Sequence, residues 1–430
     1  MEKQKNATGL SGQELYEDVI RYSRMGDHRT GGPADLKTSE WIKRELSAAG
    51  YRTETLTWNL RQFFIEKCRV EVFGHRINAF PLWYPMATGP EPIRNRLAAI
   101  ENIEDRRASA GKTALIQFDD DMVTHRSRHE AIIHQLAEAG ARAVIGYFPH
   151  PLGELFGHNA ISPFNQCAWP IPVAMIAAKD RHILDQAAAL EHEVGLLIDG
   201  RDEPWAEAGN VIARLDRGKP WIIVSTPQSG WFRSAGERGA GLALFLGLAR
   251  WAGRESSGPS YLFLSNSGHE LGHLGMHHSF ERGEIPPPDQ VICWLHLGAS
   301  IAARRWVQAG PFLKHDEGFE KAWLGGSPDL LPLLTDCFRE LPHLVPQAYT
   351  MKRGEFRWIL EKGYPGFTLL GGHRFFHLPS DGPEATAPDL LEAVAQAVAQ
   401  ALQSIGRPGF SPDRPGGETS AFSGPAGNGT

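Results

Sequence analysis

Residue type and spacing point most directly to chemistry at Ser267-Gly268-His269-Glu270-Leu271-Gly272-His273. His269, Glu270 and His273 spell His-Glu-x-x-His. On a helix that spacing puts two imidazoles on one face, where they bind zinc with the glutamate as base. Here the apolar run Tyr261-Leu262-Phe263-Leu264 comes just before, so the segment reads as a turn closing a buried strand. Gly272 and Gly275 weaken a helix further. The expectation is a turn that presents His269 and Glu270, with His273 near the start of the next helix. His277 and His278 read as surface residues of that helix.

Other residues with usable chemistry are scattered. Glu237 precedes a helical segment, where a negative charge is favoured in any case. Arg233, Arg238, Arg353 and Arg374 carry planar donor forks suited to a carboxylate. Ser229 and Ser267 lack a Gly-x-Ser-x-Gly elbow, which argues against a serine nucleophile. Trp83, Trp169 and Trp231 fit a cleft lining or a core equally well.

The elements that must position these residues follow from apolar periodicity. Residues 12–50 read as two helices around the turn Asp27-His28-Arg29-Thr30-Gly31-Gly32-Pro33. Strands are expected at residues 51–60 and 68–73. Within residues 78–205, strands at 112–118, 143–147 and 171–176 and a helix at 129–139 suggest a separate unit. Strands at residues 221–225, 261–265, 291–297 and 366–370, with helices at 241–252 and 389–405, predict a three-layer α/β domain with a mostly parallel central sheet. Sites in such sheets gather at the carboxyl ends of the strands. Residues 225–237, His269-Glu270 and residues 296–298 fall there. His296 shares a side of its strand with residue 298.

The chain has 430 residues, 42% of them hydrophobic and 22% charged, the composition of a globular protein with room for more than one core. A formal net charge of -6 argues against a nucleic-acid partner. No apolar run is long enough for a membrane span, and the polar start lacks a secretory pattern. The four cysteines are too scattered for a zinc framework or a disulfide scaffold. The expected location is cytoplasmic.

These motifs, in this order, resemble the co-catalytic zinc aminopeptidase family, which includes aminopeptidase S, glutamate carboxypeptidase, the transferrin receptor and the glutaminyl cyclases. The markers are Arg29-Thr30-Gly31, Ala48-Ala49-Gly50-Tyr51, Asn210-Val211-Ile212-Ala213, Gly236 to Gly241, Glu270-Leu271-Gly272-His273-Leu274-Gly275 and His377-Leu378-Pro379-Ser380-Asp381. The middle unit resembles the family's protease-associated insert through Gly111-Lys112-Thr113-Ala114-Leu115, Ala139-Gly140-Ala141-Arg142-Ala143-Val144 and Ile171-Pro172-Val173. The resemblance implies a first part of the catalytic-like domain at residues 1–77, an insert at 78–205, the second part at 206–406 and a disordered tail at 407–430.

The family's two-zinc pattern is incomplete here. Thr226 and Gly298 stand where one zinc has its private ligands, and Gln228 also departs from the pattern. The resemblance leaves Glu237, Glu270 and His377 as ligands of the other zinc, and puts His269 in the place of the general base. His296 and His273 are candidates for a substitute ligand or a supporting donor. Arg238, Glu355 and Arg374 are candidates on the substrate side. The implied cofactor is one zinc ion or none, and the implied partner is a small-molecule or peptide-like substrate. Three readings stay open: a metal-dependent hydrolase of an amide or peptide-like bond, a non-catalytic ligand- or partner-binding descendant, and a metal-free enzyme using His269, Glu270 and His377 for acid–base work.

Overall fold

The structure is a computed structural model that describes residues 9–119, 126–160, 168–255, 257–310, 312–350 and 354–410. Cys167, Arg353 and residues 411–430 of the expected tail lie outside the described residues.

The two N-terminal helices are Gly12–Arg24 and Pro33–Ala48. The Ser11 side chain caps the first, and Pro33 opens the second, where its missing N–H costs nothing. Leu15, Val19, Trp41, Ile42 and Leu46 bury their shared apolar faces.

Where two strands were expected, one strand runs from Arg52 to Val72. It pairs antiparallel with the similarly long Glu193–Leu215, and its register shifts between Leu60 and Gln62 and between Ile65 and Lys67. These bulges take up Arg61 and Glu66, so the apolar alternation breaks while the pairing continues. The segment 210–213 is the far end of that partner strand rather than a new one.

Both long strands pass through two cores. At one end, Glu193–Leu215 borders a sheet whose central strands Ser260–Asn266, Trp221–Pro227, Val291–Leu297 and Gly366–Gly371 are parallel neighbours. Ala322–Gly326 adds antiparallel at the opposite side. These central strands are buried on both faces. The helices Gly12–Arg24, Pro33–Ala48, Ala240–Arg254 and Pro388–Ile405 cover one face, and Leu274–Glu281 and Glu355–Glu361 cover the other. This is the three-layer α/β arrangement expected from the apolar runs.

At the other end, Arg52–Val72, His75–Pro81, Val173–Ile176, Ala143–Tyr147, Thr113–Gln117, Ile93–Ala99 and Glu193–Leu215 pair in succession. The last pairs back with the first. Ring closure leaves these strands without a free edge, around a core that includes Val70, Leu97, Ile145 and Leu196. Sequence periodicity did not anticipate the hairpin of Arg304–Ala309 and Phe312–Phe319 or the helix Glu355–Glu361. No described helix is long and apolar enough to cross a membrane.

Candidate active site

The candidate residues converge at the carboxyl ends of the parallel strands. After Ser260–Asn266 the chain makes a short 3-10 turn, His269–Leu271, and is left-handed at Gly272 and His273, with φ of 80° and 66°. His269 and His273 therefore do not share a helix, although their ring centroids lie 4.8 Å apart. His273 Nδ1 accepts from Trp358 Nε1 at 3.2 Å.

Glu237 and Arg238 lie on a π-helical turn, Ala235–Gly239, that leads into Ala240–Arg254. The Asp381 carboxylate holds this turn by accepting the Gly236 and Glu237 N–H groups at 2.8 and 3.0 Å. His373 Nε2 meets the same carboxylate at 3.1 Å, and Ser300 Oγ meets His373 Nδ1 at 2.9 Å. Burial pushes His373 down, but Asp381 outweighs it and the net shift is upward. Gly236 is required here, because a Cβ would stand 2.5 Å from Ala385 Cβ and 2.9 Å from an Asp381 oxygen.

Two backbone bonds tie the seven-stranded unit to the site. Ala160 N–H donates to the Glu270 carbonyl and Gly157 N–H to the His377 carbonyl, each at 2.9 Å. His377 has a φ of 61°. Phe232, Ser234, His273, Ser300 and His377, all on loops around this cluster, are five of the seven non-glycine residues with positive φ among the described residues. Such strain persists only where the surroundings over-determine the backbone, and it gathers at functional sites.

Arg238 stands between two of the expected ligands, Glu237 and Glu270, and the third, His377, reaches Glu237. Arg238 Nη2 lies 2.8 Å from Glu237 Oε1 and 3.6 Å from Glu270 Oε1. His377 Nε2 lies 3.2 Å from Glu237 Oε1. Glu237, Arg238 and Glu270 are at most 2% exposed. Burial pushes the Glu237 carboxyl up, yet Arg238 and His377 outweigh it and hold the group at about 2. Burial dominates at Glu270, which rises to about 7 despite Arg238 and the 2.8 Å hydrogen bond donated by Ser229 Oγ. The Glu237 oxygens, Glu270 Oε1 and the three Arg238 nitrogens meet as charges but lack well-aligned hydrogen bonds.

A zinc ion does not fit this set while Arg238 stays in place. At about 2.2 Å from Glu237 Oε1 it would stand no more than about 5 Å from Nη2. A doubly charged cation and a guanidinium at that separation repel by roughly 7 kcal/mol at an effective dielectric of about 20. Among the described residues, no group of three His, Cys, Asp or Glu side chains is placed to hold a metal. The residues expected to stand at or near the place of the other zinc are engaged in hydrogen bonds of their own. Thr226 Oγ1 donates to the Leu297 carbonyl at 3.0 Å, and Gln228 Nε2 donates to the buried Asp35 at 2.9 Å.

Beside this cluster is a cavity of about 360 Å³ walled by Arg238, His269, His296, Glu355, Trp358 and His377, among others. Two broader surface grooves, at Arg305 and His343 and at Lys112 and Arg181, contain no buried ionisable group. His269 Nδ1 meets Glu355 Oε1 at 2.9 Å. Burial, then Arg238, hold His269 well below the usual imidazole range, so the ring is neutral. Glu355 is 1% exposed and begins the helix Glu355–Glu361 after Gly354. Its second oxygen faces His296 Nε2 at 3.8 Å, while His296 Nδ1 bonds Ser225 Oγ at 2.9 Å. A carboxylate that orients a neutral imidazole, next to a fixed positive charge, can deprotonate a nucleophile and stabilise an oxyanion.

Arg374 is not part of this wall; its charge acts on His150 instead. Trp83 and Trp231 pack against each other in a core, and Trp169 packs in another. Asn159 lines the cavity from the seven-stranded unit and accepts from Trp231 Nε1 at 2.7 Å. Sequence reasoning missed Asn159, His373 and the support that Asp381 gives the turn. The motif His377-Leu378-Pro379-Ser380-Asp381 was the available signal for Asp381.

No protein-family model and no curated protein matches the chain. Solved structures do. A zinc aminopeptidase from Bacillus subtilis superposes with a TM-score of 0.72 at 16% identity, over 92% of this chain and 95% of its own. A peptidase M28 precursor from Shewanella amazonensis gives 0.72 at 15%, over 96% and 97%. An aminopeptidase from Aneurinibacillus sp. strain AM-1 gives 0.66 at 16%, over 95% and 98%. The chain therefore has the fold of the zinc aminopeptidases.

Proposed function

We propose that this protein hydrolyses an amide or peptide-like bond of a small substrate bound in the cavity beside Arg238. The observation that carries this reading is the 2.9 Å pair of His269 and Glu355 on the cavity wall, next to the Arg238 guanidinium. In this reading His269, oriented by Glu355, takes a proton from water as the water oxygen adds to the substrate carbonyl. The carbonyl oxygen becomes an oxyanion facing Arg238, whose charge is fixed before the reaction starts. The imidazolium then returns its proton to the departing nitrogen. Glu237 and Glu270 hold the guanidinium in place. The fold shared with aminopeptidases supports the bond class, by analogy.

The test is turnover of a panel of aminoacyl and N-acyl p-nitroanilides by purified full-length protein, with His269→Gln as control. Turnover that falls about 10²-fold or more in the variant supports the reading. Turnover indifferent to His269, or none across the panel, removes it. A non-catalytic, ligand-binding role is favoured by one observation: Glu237 and Glu270 are sealed behind Arg238. Saturable binding of panel members without turnover would establish that alternative.

A further inference from the structure

Glu237, Glu270 and His377 are the donor types of a zinc site with an open position, yet the positive charge among them is covalently attached. We infer that the Arg238 guanidinium has taken over the electrostatic place of a metal ion. It neutralises the two carboxylates from within the chain, and shortening this one side chain opens a metal site on Glu237, Glu270 and His377. The inference goes beyond the hydrolase reading, because its readout is metal uptake and not turnover.

Three observations carry it. First, Nη2 stands 2.8 and 3.6 Å from one oxygen of each carboxylate, where a shared cation would draw both. Second, Glu237 Oε1 and His377 Nε2 are 3.2 Å apart. Two ligands about 2.0 Å from one tetrahedral metal would be about 3.3 Å apart. Third, the backbone around the donors is held without any metal. Asp381 grips the Glu237 N–H, Ala160 the Glu270 carbonyl and Gly157 the His377 carbonyl. The three side chains are not placed to share a metal while the guanidinium stands among them. Their backbones are fixed, however, and Arg238 borders the cavity, so removing the guanidinium frees space connected to the cavity in which they can close on a cation.

The experiment titrates cobalt(II) chloride, then zinc chloride, into full-length wild-type protein, Arg238→Ala, Arg238→Asn and the double variant Arg238→Asn with Glu237→Gln. Cobalt absorption bands report coordination, and elemental analysis after gel filtration reports stoichiometry. The expected result is no stoichiometric metal in the wild type and one equivalent in each single variant. Binding in the single variants should be tighter than in the wild type by about a hundredfold or more. The double variant should lose it. One equivalent bound by the wild type and abolished by Glu237→Gln alone overturns the inference. So do folded single variants that take up no metal. If the single variants fold poorly, refolding with zinc present decides. Recovery of native circular dichroism with zinc but not with magnesium supports the inference, and no recovery with either overturns it.

Discussion

Arg238 Nη2 lies 2.8 Å from Glu237 Oε1, and each side chain is only 1% exposed. A buried ion pair of this kind adds little net stability, but breaking it is costly. Arg238→Ala leaves Glu237 and Glu270 buried without their counter-charge. The expected loss is about 3–5 kcal/mol in urea unfolding at neutral pH. Arg238→Lys keeps the charge and should recover part of that loss. An Arg238→Ala protein as stable as wild type would mean that the carboxylates find other partners.

Glu270 gives stability a particular pH dependence. Its carboxyl is raised from 4.5 to about 7 in the folded protein. Between those values the folded chain holds a proton that the unfolded chain has released. Its contribution to stability is therefore present below about 4.5 and is lost as pH rises toward 7. Glu237 runs the other way, because its folded value is depressed to about 2. Its contribution is present above 4.5 and is lost as pH falls toward 2. Glu270→Gln removes only the first effect. The stability difference between wild type and this variant should slope between pH 4.5 and 7 and flatten above. A difference that is level across that window would show that Glu270 is ionised throughout.

Glu355→Gln tests the orienting role of the carboxylate. The amide can still bond His269 Nδ1 but no longer stabilises an imidazolium. If the proposed chemistry operates, kcat falls by on the order of 10²-fold or more while KM stays close to wild type. Equal losses in both variables would instead indicate a binding role.

Gly236→Ala tests how tightly the π-helical turn is held. The new Cβ would meet Ala385 Cβ, an Asp381 oxygen and His373 Nε2 at 2.5–2.9 Å. Overpacking of this kind costs about 1–3 kcal/mol, measurable as a lower urea midpoint. Because Glu237 is the next residue, turnover should fall as well. An unchanged midpoint would show that the turn yields easily.

The parallel sheet was legible in sequence because strands such as Trp221–Pro227 and Ser260–Asn266 are buried on both faces and read as unbroken apolar runs. The strand Arg52–Val72 was less legible, since bulges at Arg61 and Glu66 interrupt its alternation. At the site, motif order brought Glu237, Glu270 and His377 to notice. Motif order does not show which neighbours a side chain reaches. Arg238 read as a fork for a substrate carboxylate, and only the folded chain shows it gripping two of its own. Glu355 is 86 residues from His269 in sequence, so no local pattern links them.

The two long strands that traverse both cores have a mechanical consequence. A hinge between the units would have to shear a ladder that runs from Arg52–Arg214 to Glu71–Gly195 with only two bulges, and would also detach the Gly157 and Ala160 amides from the loops they grip. Rocking of one lobe against the other is therefore not how molecules come and go. Exchange with the cavity is then expected to depend on movement of lining side chains, Trp358 and Phe376 among them. Deuterium uptake at Gly157 and Ala160 as slow as in the central strands would agree. Rapid uptake there would mean that the lobes part.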